Sequence, residues 1–336
     1  MKRHFNAVKK GNNIENAFFD KLSPKLSELR EGFFFLTGMK DDNTAELILT
    51  ADGAIENIVY VEELVGAAPY IPGWEFTALK PALDIKNVCI KMGDYVFDDE
   101  NLSFYANEYP ELPDEIDITV VYHNFDEDNK SSIINGVYIF LDNFLGELNS
   151  VVTIDNLTVI GKDDAKRELI PIEKLKDFLI WRQKEFVEKY EVLRYNSEDD
   201  TYSTLSAELE NGNPLTAMVN TTLLDWEGKA SHPWLLNVEI QFDGEETNGM
   251  PDDDTYQILD QIEEEMMEGL KEADGYLNVA RQTANNKRNV YFACKDFRKP
   301  SKIADQLKSK YSDKFEISFT IYKDKYWQTL DRFRVN

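Results

Sequence analysis

Residues 234–242, Trp234-Leu235-Leu236-Asn237-Val238-Glu239-Ile240-Gln241-Phe242, alternate apolar and polar side chains from Leu236 onward. A period of two is the mark of a half-buried strand. Ten residues on, the period changes to that of a helix. Over 252–273, Ile258, Leu259, Ile262, Met266 and Leu270 fall at spacings of three and four, with acidic residues between them. Residues 276–282 and 289–294 alternate again, 301–311 carries Ile303, Leu307 and Tyr311 at helical spacing, and 315–322 reads as a last strand. The order strand, helix, strand, strand, helix, strand is that of a ferredoxin-like split βαβ domain, and the class expected is α+β. That arrangement hosts enzymes, RNA binders and regulators, so function has to be argued from a site.

Immediately upstream, 202–209 and 214–223 flank Asn211-Gly212, the strongest short hairpin signal, which adds a hairpin to the domain. Asn196-Ser197-Glu198-Asp199-Asp200 has no apolar residue and sets the expected boundary near residue 195. Two α/β-sandwich domains are therefore expected, 1–195 and 196–336, a number suited to 336 residues. In the first, 13–29 reads as a helix interrupted by Pro24, and 33–79 as a ββαβ unit. Short strands follow over 88–90, 95–97 and 102–105. Residues 116–122 form a strand, 131–148 a wide-faced helix, 151–160 a strand or tight hairpin, and 172–190 a long helix begun by Pro171. The run from 116 to 154 echoes 235–282 in order and length, and the first domain is read as a candidate duplication of the second.

Charge is the other strong signal. Residues 191–274 hold about 22 acidic side chains against about 3 basic ones, whereas 275–336 hold about 14 basic against about 6 acidic. The acidic helix is expected to expose Asp260, Glu263, Glu264, Glu265 and Glu268, and the later helix Lys302, Lys308 and Lys310. The two helices of a split βαβ lie side by side, so part of this opposition is satisfied within the domain. The surplus acid would suit a basic protein partner, with Glu245, Glu246, Asp252, Asp253, Glu264 and Glu268 as the candidate binding residues. A net charge of -26 disfavours nucleic acid and anionic membranes. No apolar run approaches the length of a membrane helix, and the basic start lacks an apolar stretch behind it, so a cytoplasmic location is expected.

Motifs for chemistry are sparse. The loops Asp126-Glu127-Asp128 and Asp243-Gly244-Glu245-Glu246 lack the glycine and glutamate of an EF-hand, and no zinc-peptidase, P-loop, hydrolase-elbow or dinucleotide motif occurs. No catalytic residue, metal or cofactor is assigned. Cys89 and Cys294 sit in apolar alternating runs without CxxC spacing and are expected to be inert core thiols. His123, followed by Asp126 and Asp128, anchors an alternative reading as an enzyme with a site there or in an interdomain cleft. An RNA-binding alternative rests on Tyr291 and Phe292 in the third strand, although 287–295 lacks the glycine and aromatic spacing of base-stacking strands, and the hairpin is expected to cover that face. Oligomeric state is left open.

Residues 202–333 resemble the bacterial domain-of-unknown-function 695 (DUF695) family. The likeness is carried by Gly212-Asn213-Pro214, Val219-Asn220, His232-Pro233-Trp234-Leu235-Leu236, Gly249-Met250-Pro251, Asp260-Gln261-Ile262-Glu263 and Asp324-Lys325-Tyr326-Trp327. Asn286-Lys287-Arg288 stands where a Gly-Arg pair is usual. The resemblance implies a ferredoxin-like domain without an assigned activity, and its looser relatives are similar to protein inhibitors of ribonuclease E, which act by binding. Leu49-Thr50-Ala51-Asp52-Gly53, Ala68-Pro69 and Trp74 are similar to a segment of other uncharacterised bacterial proteins.

Overall fold

In the computed structural model, which describes residues 2–11 and 14–334, the chain divides into two units, Met1–Glu185 and Phe186–Asn336. Asn13, where the first expected helix begins, lies outside the described residues. The first unit opens with α1 (Lys2–Lys10), a π-helical turn (Glu15–Phe19) and α2 (Asp20–Leu29), which keeps Pro24 inside it. Next come β1 (Phe34–Met39), β2 (Ala45–Thr50), α3 (Ile55–Gly66) and β3 (Trp74–Ala78). β1 and β2 pair antiparallel, and α3 carries the chain back so that β3 lies parallel to β2. Ile58, Val59 and Val61 of α3 are buried, while Phe18 packs its ring 5.5 Å from that of Trp74.

A short pair, β4 (Ile90–Met92) and β5 (Tyr95–Phe97), leads into β6 (Leu102–Asn107) and β7 (Asp117–Tyr122). Helices α4 (Lys130–Leu145) and α5 (Glu147–Thr153) then precede β8 (Asn156–Gly161), β9 (Ile170–Pro171) and α6 (Leu175–Tyr190). The sheet runs β8-β7-β6-β9. Ile133, Val137, Phe140, Leu141 and Phe144 recur every three or four residues on α4 and are buried with Phe104, Ile118 and Val120 of the sheet. Residues 151–153, expected to begin a strand, finish α5 instead. Tertiary bonds override the β-branched pair Val151-Val152: Glu147, in the first turn of α5, accepts backbone bonds from Ala51, Gly53 and Lys80.

The second unit holds β10 (Tyr202–Glu208), β11 (Pro214–Asn220), α7 (Thr221–Leu224), β12 (Trp234–Gln241), α8 (Asp253–Gly269), β13 (Tyr276–Ala284), β14 (Lys287–Cys294), α9 (Arg298–Lys310) and β15 (Glu316–Lys323). Its six-stranded sheet runs β10-β11-β13-β14-β12-β15, every pair antiparallel. The molecule is of the α+β class. Along β12, Leu236, Val238 and Ile240 point one way and are fully buried, while Leu235 points the other way into a second cluster with Ala217, Tyr291, Trp327 and Phe333. Both faces are therefore filled. The hairpin β10–β11 does not cover a face as expected; it lengthens the sheet beyond β13, and the terminal turn Gln328–Phe333 supplies the cover.

The two strand–helix–strand runs expected to echo each other are built differently. β7 and β8 are direct parallel neighbours, whereas β14 lies between β12 and β13. Similar order along the chain does not determine whether the returning strand leaves a gap for a later one.

A candidate acidic docking surface

Helix α8 starts on Asp252, whose carboxylate accepts the Thr255 amide at 2.8 Å and is held below the usual carboxylate range chiefly by that bond. Leu259, Ile262, Glu263, Met266 and Leu270 are buried along its inner arc. Glu263 and Asp260, expected in solvent, thus belong partly to the sheet side. The spacing carries the signal, since residue 263 lies four after Leu259 and three before Met266.

What receives these carboxylates depends on an irregularity in β13. A bulge at Val279 shifts the register between Asn278 and Ala280. Asn278 pairs with Phe292 and Arg281 with Val290, and these two partners share one face of β14, so two residues three apart both point toward α8. Asn278 Nδ2 donates to Glu263 Oε1 at 3.1 Å, and Arg281 reaches Glu263 at 3.0 Å and Asp260 at 3.1 Å. Arg288, on the same face of β14 as Val290, is almost wholly buried. It donates to Asp260 at 2.7 Å and to Thr283 at 3.1 Å, with its guanidinium 4.9 Å from the Tyr256 ring centre. Glu265 turns toward α9 instead. Against the cost of its partial burial, the Lys310 ammonium at 2.7 Å and the Tyr311 hydroxyl at 2.9 Å hold it below the usual carboxylate range.

The six candidate residues lie outside this network. Glu245, Glu246, Asp252, Asp253, Glu264 and Glu268 are all exposed. On α8, positions 253, 264 and 268 fall within about 60° of one another at 100° per residue, making one stripe. Glu245 and Glu246 belong to the 3₁₀ turn Glu245–Thr247 before the helix, and this loop is fastened to the Asn285-Asn286 hairpin turn, which is itself bonded to the Asn211–Asn213 turn. Phe242 N–H donates to the Asn286 carbonyl, Asn286 N–H to the Gly249 carbonyl, and the amides of Asn211 and Asn213 both donate to Asn285 Oδ1. Gly249 has φ +81°, and a Cβ there would meet the Asn285 backbone at 3.0 Å; at Gly244 it would meet the Met250 carbonyl at 2.7 Å. Between α8 and the hairpin lies a cavity of about 260 Å³, with Tyr202, Met218, Glu264, Met267 and Arg281 in its walls. Tyr202, Met218 and Met267 are 52%, 39% and 43% exposed, which alternation alone did not single out.

The remaining candidates resolve differently. His123 Nε2 lies 2.8 Å from Ser103 Oγ and not against the neighbouring carboxylates; Asp126 takes Tyr95 OH, Asn129 and the Asp128 amide. Burial, and then the Lys162 charge, lower the His123 pKa. Ser103 is buried in β6 and pairs with Val121 on one side and Pro171 on the other. Cys294 is buried, and burial pushes its thiol well up, but Cys89 is exposed just before β4, so the expectation of a core thiol is corrected there. Tyr291 and Phe292 are both buried. Among the described residues, no three or more His, Cys, Asp or Glu side chains are grouped to hold a metal ion, and no helix is long and apolar enough to cross a membrane.

Fold and surface together define an α+β protein whose second unit carries a fixed acidic surface over a filled antiparallel sheet. Residues 204–333, nearly all of that sheet and its helices, match the model of DUF695, a family of unknown function. No curated protein and no solved structure matches the chain. The match does not reach residues 49–74, so the resemblance expected there has no counterpart in it. Several residues that carry the family likeness hold the unit together: Gly249 and Asn213 join the loops at one end. At the other, Trp327 Nε1 donates to the His232 carbonyl at 3.0 Å, and Asp324 accepts the amides of Gln328 and Thr329.

Proposed function

We propose that this protein acts by binding another protein, with the surplus acid of its second unit as the docking surface and a basic surface as its complement. The supporting observation is the division of acid on α8. Asp260, Glu263 and Glu265 meet Arg281, Arg288 and Lys310, whereas Glu264, Glu268 and Asp253 meet no basic side chain among the described residues. Fixed, exposed like charge raises association rates with an opposite surface and discriminates among partners. The loop bonds that fix Glu245 and Glu246 reduce the ordering cost of docking. A regulator or inhibitor of a basic enzyme fits this chemistry, and a cytoplasmic setting is part of the same reading.

The test is affinity capture from the native host with the natural chain and with Glu245, Glu246, Asp252, Asp253, Glu264 and Glu268 all changed to lysine. A basic protein retained by the natural chain and lost by the variant supports the reading. Identical recoveries, or none from either, overturn it.

A further inference from the structure

The hairpin that lengthens the sheet leaves its outer strand, β10, with a single strand neighbour among the described residues, β11. Leu209 N–H donates to the Asn213 carbonyl and Thr221 N–H to the Thr201 carbonyl, so odd-numbered residues of β10 exchange bonds with β11. Tyr202, Thr204, Ser206 and Glu208 therefore direct their N–H and C=O groups outward. Edge strands are ordinarily blunted by lysine, proline or a bulge. Tyr202–Glu208 contains no lysine or proline, and its register with β11 is continuous.

The face of this edge that looks toward α8 is prepared for particular side chains. Met218 pairs with Thr204 on one side and Arg281 on the other, which puts it on the α8 side of the sheet beside Tyr202. Together with Met267 they give an apolar floor, and because Arg281 beside it is held by Glu263 and Asp260, the remaining charge on its wall is that of Glu264. Long basic side chains suit such a groove, because their methylene stems cover apolar surface while the charged heads reach carboxylates. A second copy of this chain does not suit it. Each copy carries -26, and pairing two β10 strands would bring two acidic walls together.

Resting on the binding function proposed above, we infer that β10 is a strand-addition site that takes an extended, basic segment of the partner protein, bonded along the edge with alternate lysine or arginine side chains directed over Tyr202 and Met218 toward Glu264. Backbone bonds give the affinity and the groove selects the alternate residues.

The probe is a capped, fluorescent octapeptide alternating arginine and valine, followed by anisotropy at low salt, with an alternating glutamate–valine peptide as control. Ser206→Pro removes an outward N–H without touching a bond to β11, and is expected to weaken binding tenfold or more while circular dichroism and melting stay native. The same octapeptide N-methylated at alternate residues is expected to fail against the natural chain, which tests the edge without altering the protein. Glu264→Lys with Glu268→Lys is expected to weaken the basic peptide and not the glutamate control. If the reversal abolishes binding while Ser206→Pro and N-methylation leave it intact, strand addition is overturned and the acidic-surface reading stands. If the reversal also has no effect, both fall. A natural chain that sediments as a dimer and becomes monomeric on Ser206→Pro also overturns the inference, because a second copy then occupies the edge.

Discussion

Glu147 is completely buried, and its carboxylate accepts Thr50 Oγ1 at 2.5 Å together with the amides of Ala51, Gly53 and Lys80 at 3.1 to 3.2 Å. Four donors depend on one side chain, so Glu147→Ala should destabilise the first unit by about 3 to 5 kcal/mol, and Glu147→Gln by less, read from urea unfolding. His232 makes a prediction in pH. Burial, reinforced by the charges of Lys295 and Arg194, pushes its imidazole from about 6.5 down to about 3. Between those values the unfolded chain binds a proton that the folded chain refuses, so stability falls as pH is lowered through the window. The loss should be about 2 kcal/mol between about pH 7 and about pH 5, and His232→Gln should flatten that slope. The two thiols should separate cleanly: in the native protein a thiol reagent should modify Cys89 and spare Cys294 until denaturant is added.

Within α8, two carboxylates about one helical turn apart, Asp260 and Glu264, acquire different roles. Asp260 holds Arg288, whose side chain is 2% exposed, so Asp260→Ala leaves a buried guanidinium without its carboxylate and should cost about 3 kcal/mol. Glu264→Ala, four residues later, removes no internal contact and should change stability by less than about 0.5 kcal/mol. Denaturant titration of the two variants compares them directly. The sequence made α8 legible as an amphipathic helix and its surplus acid legible as such. It did not reveal which acids are internal, because that depends on the bulge at Val279, whose effect on Asn278 and Arg281 exists only once β13 is paired with β14. Val151 and Val152 misled for a related reason: local propensity favoured a strand, and the distant bonds of Glu147 decided otherwise.

For the whole molecule, the order of the strands and of the two long helices in the second unit and its α+β class could be read from periodicity, as could the added hairpin from Asn211-Gly212, whereas residues 221–223, expected to end its second strand, turn into α7 instead. Where that hairpin sits could not. Joining the sheet beside β13 leaves β10 as an edge among the described residues and opens the groove that Tyr202, Met218 and Met267 line, residues that neither charge nor any motif marks in the sequence. Of the residues that carry the family likeness, Gly249, Asn213, Asp324 and Trp327 hold loops and ends of the second unit. Amide-resolved hydrogen exchange of the full chain, with and without the arginine–valine octapeptide, tests the central claim most directly. Exchange should slow at Thr204 and Ser206 and in the neighbourhood of Glu245, Glu246, Glu264 and Glu268, with the odd-numbered amides of β10 protected in both states. Slowed exchange confined to the first unit, or none at all under conditions where the peptide binds, would contradict it.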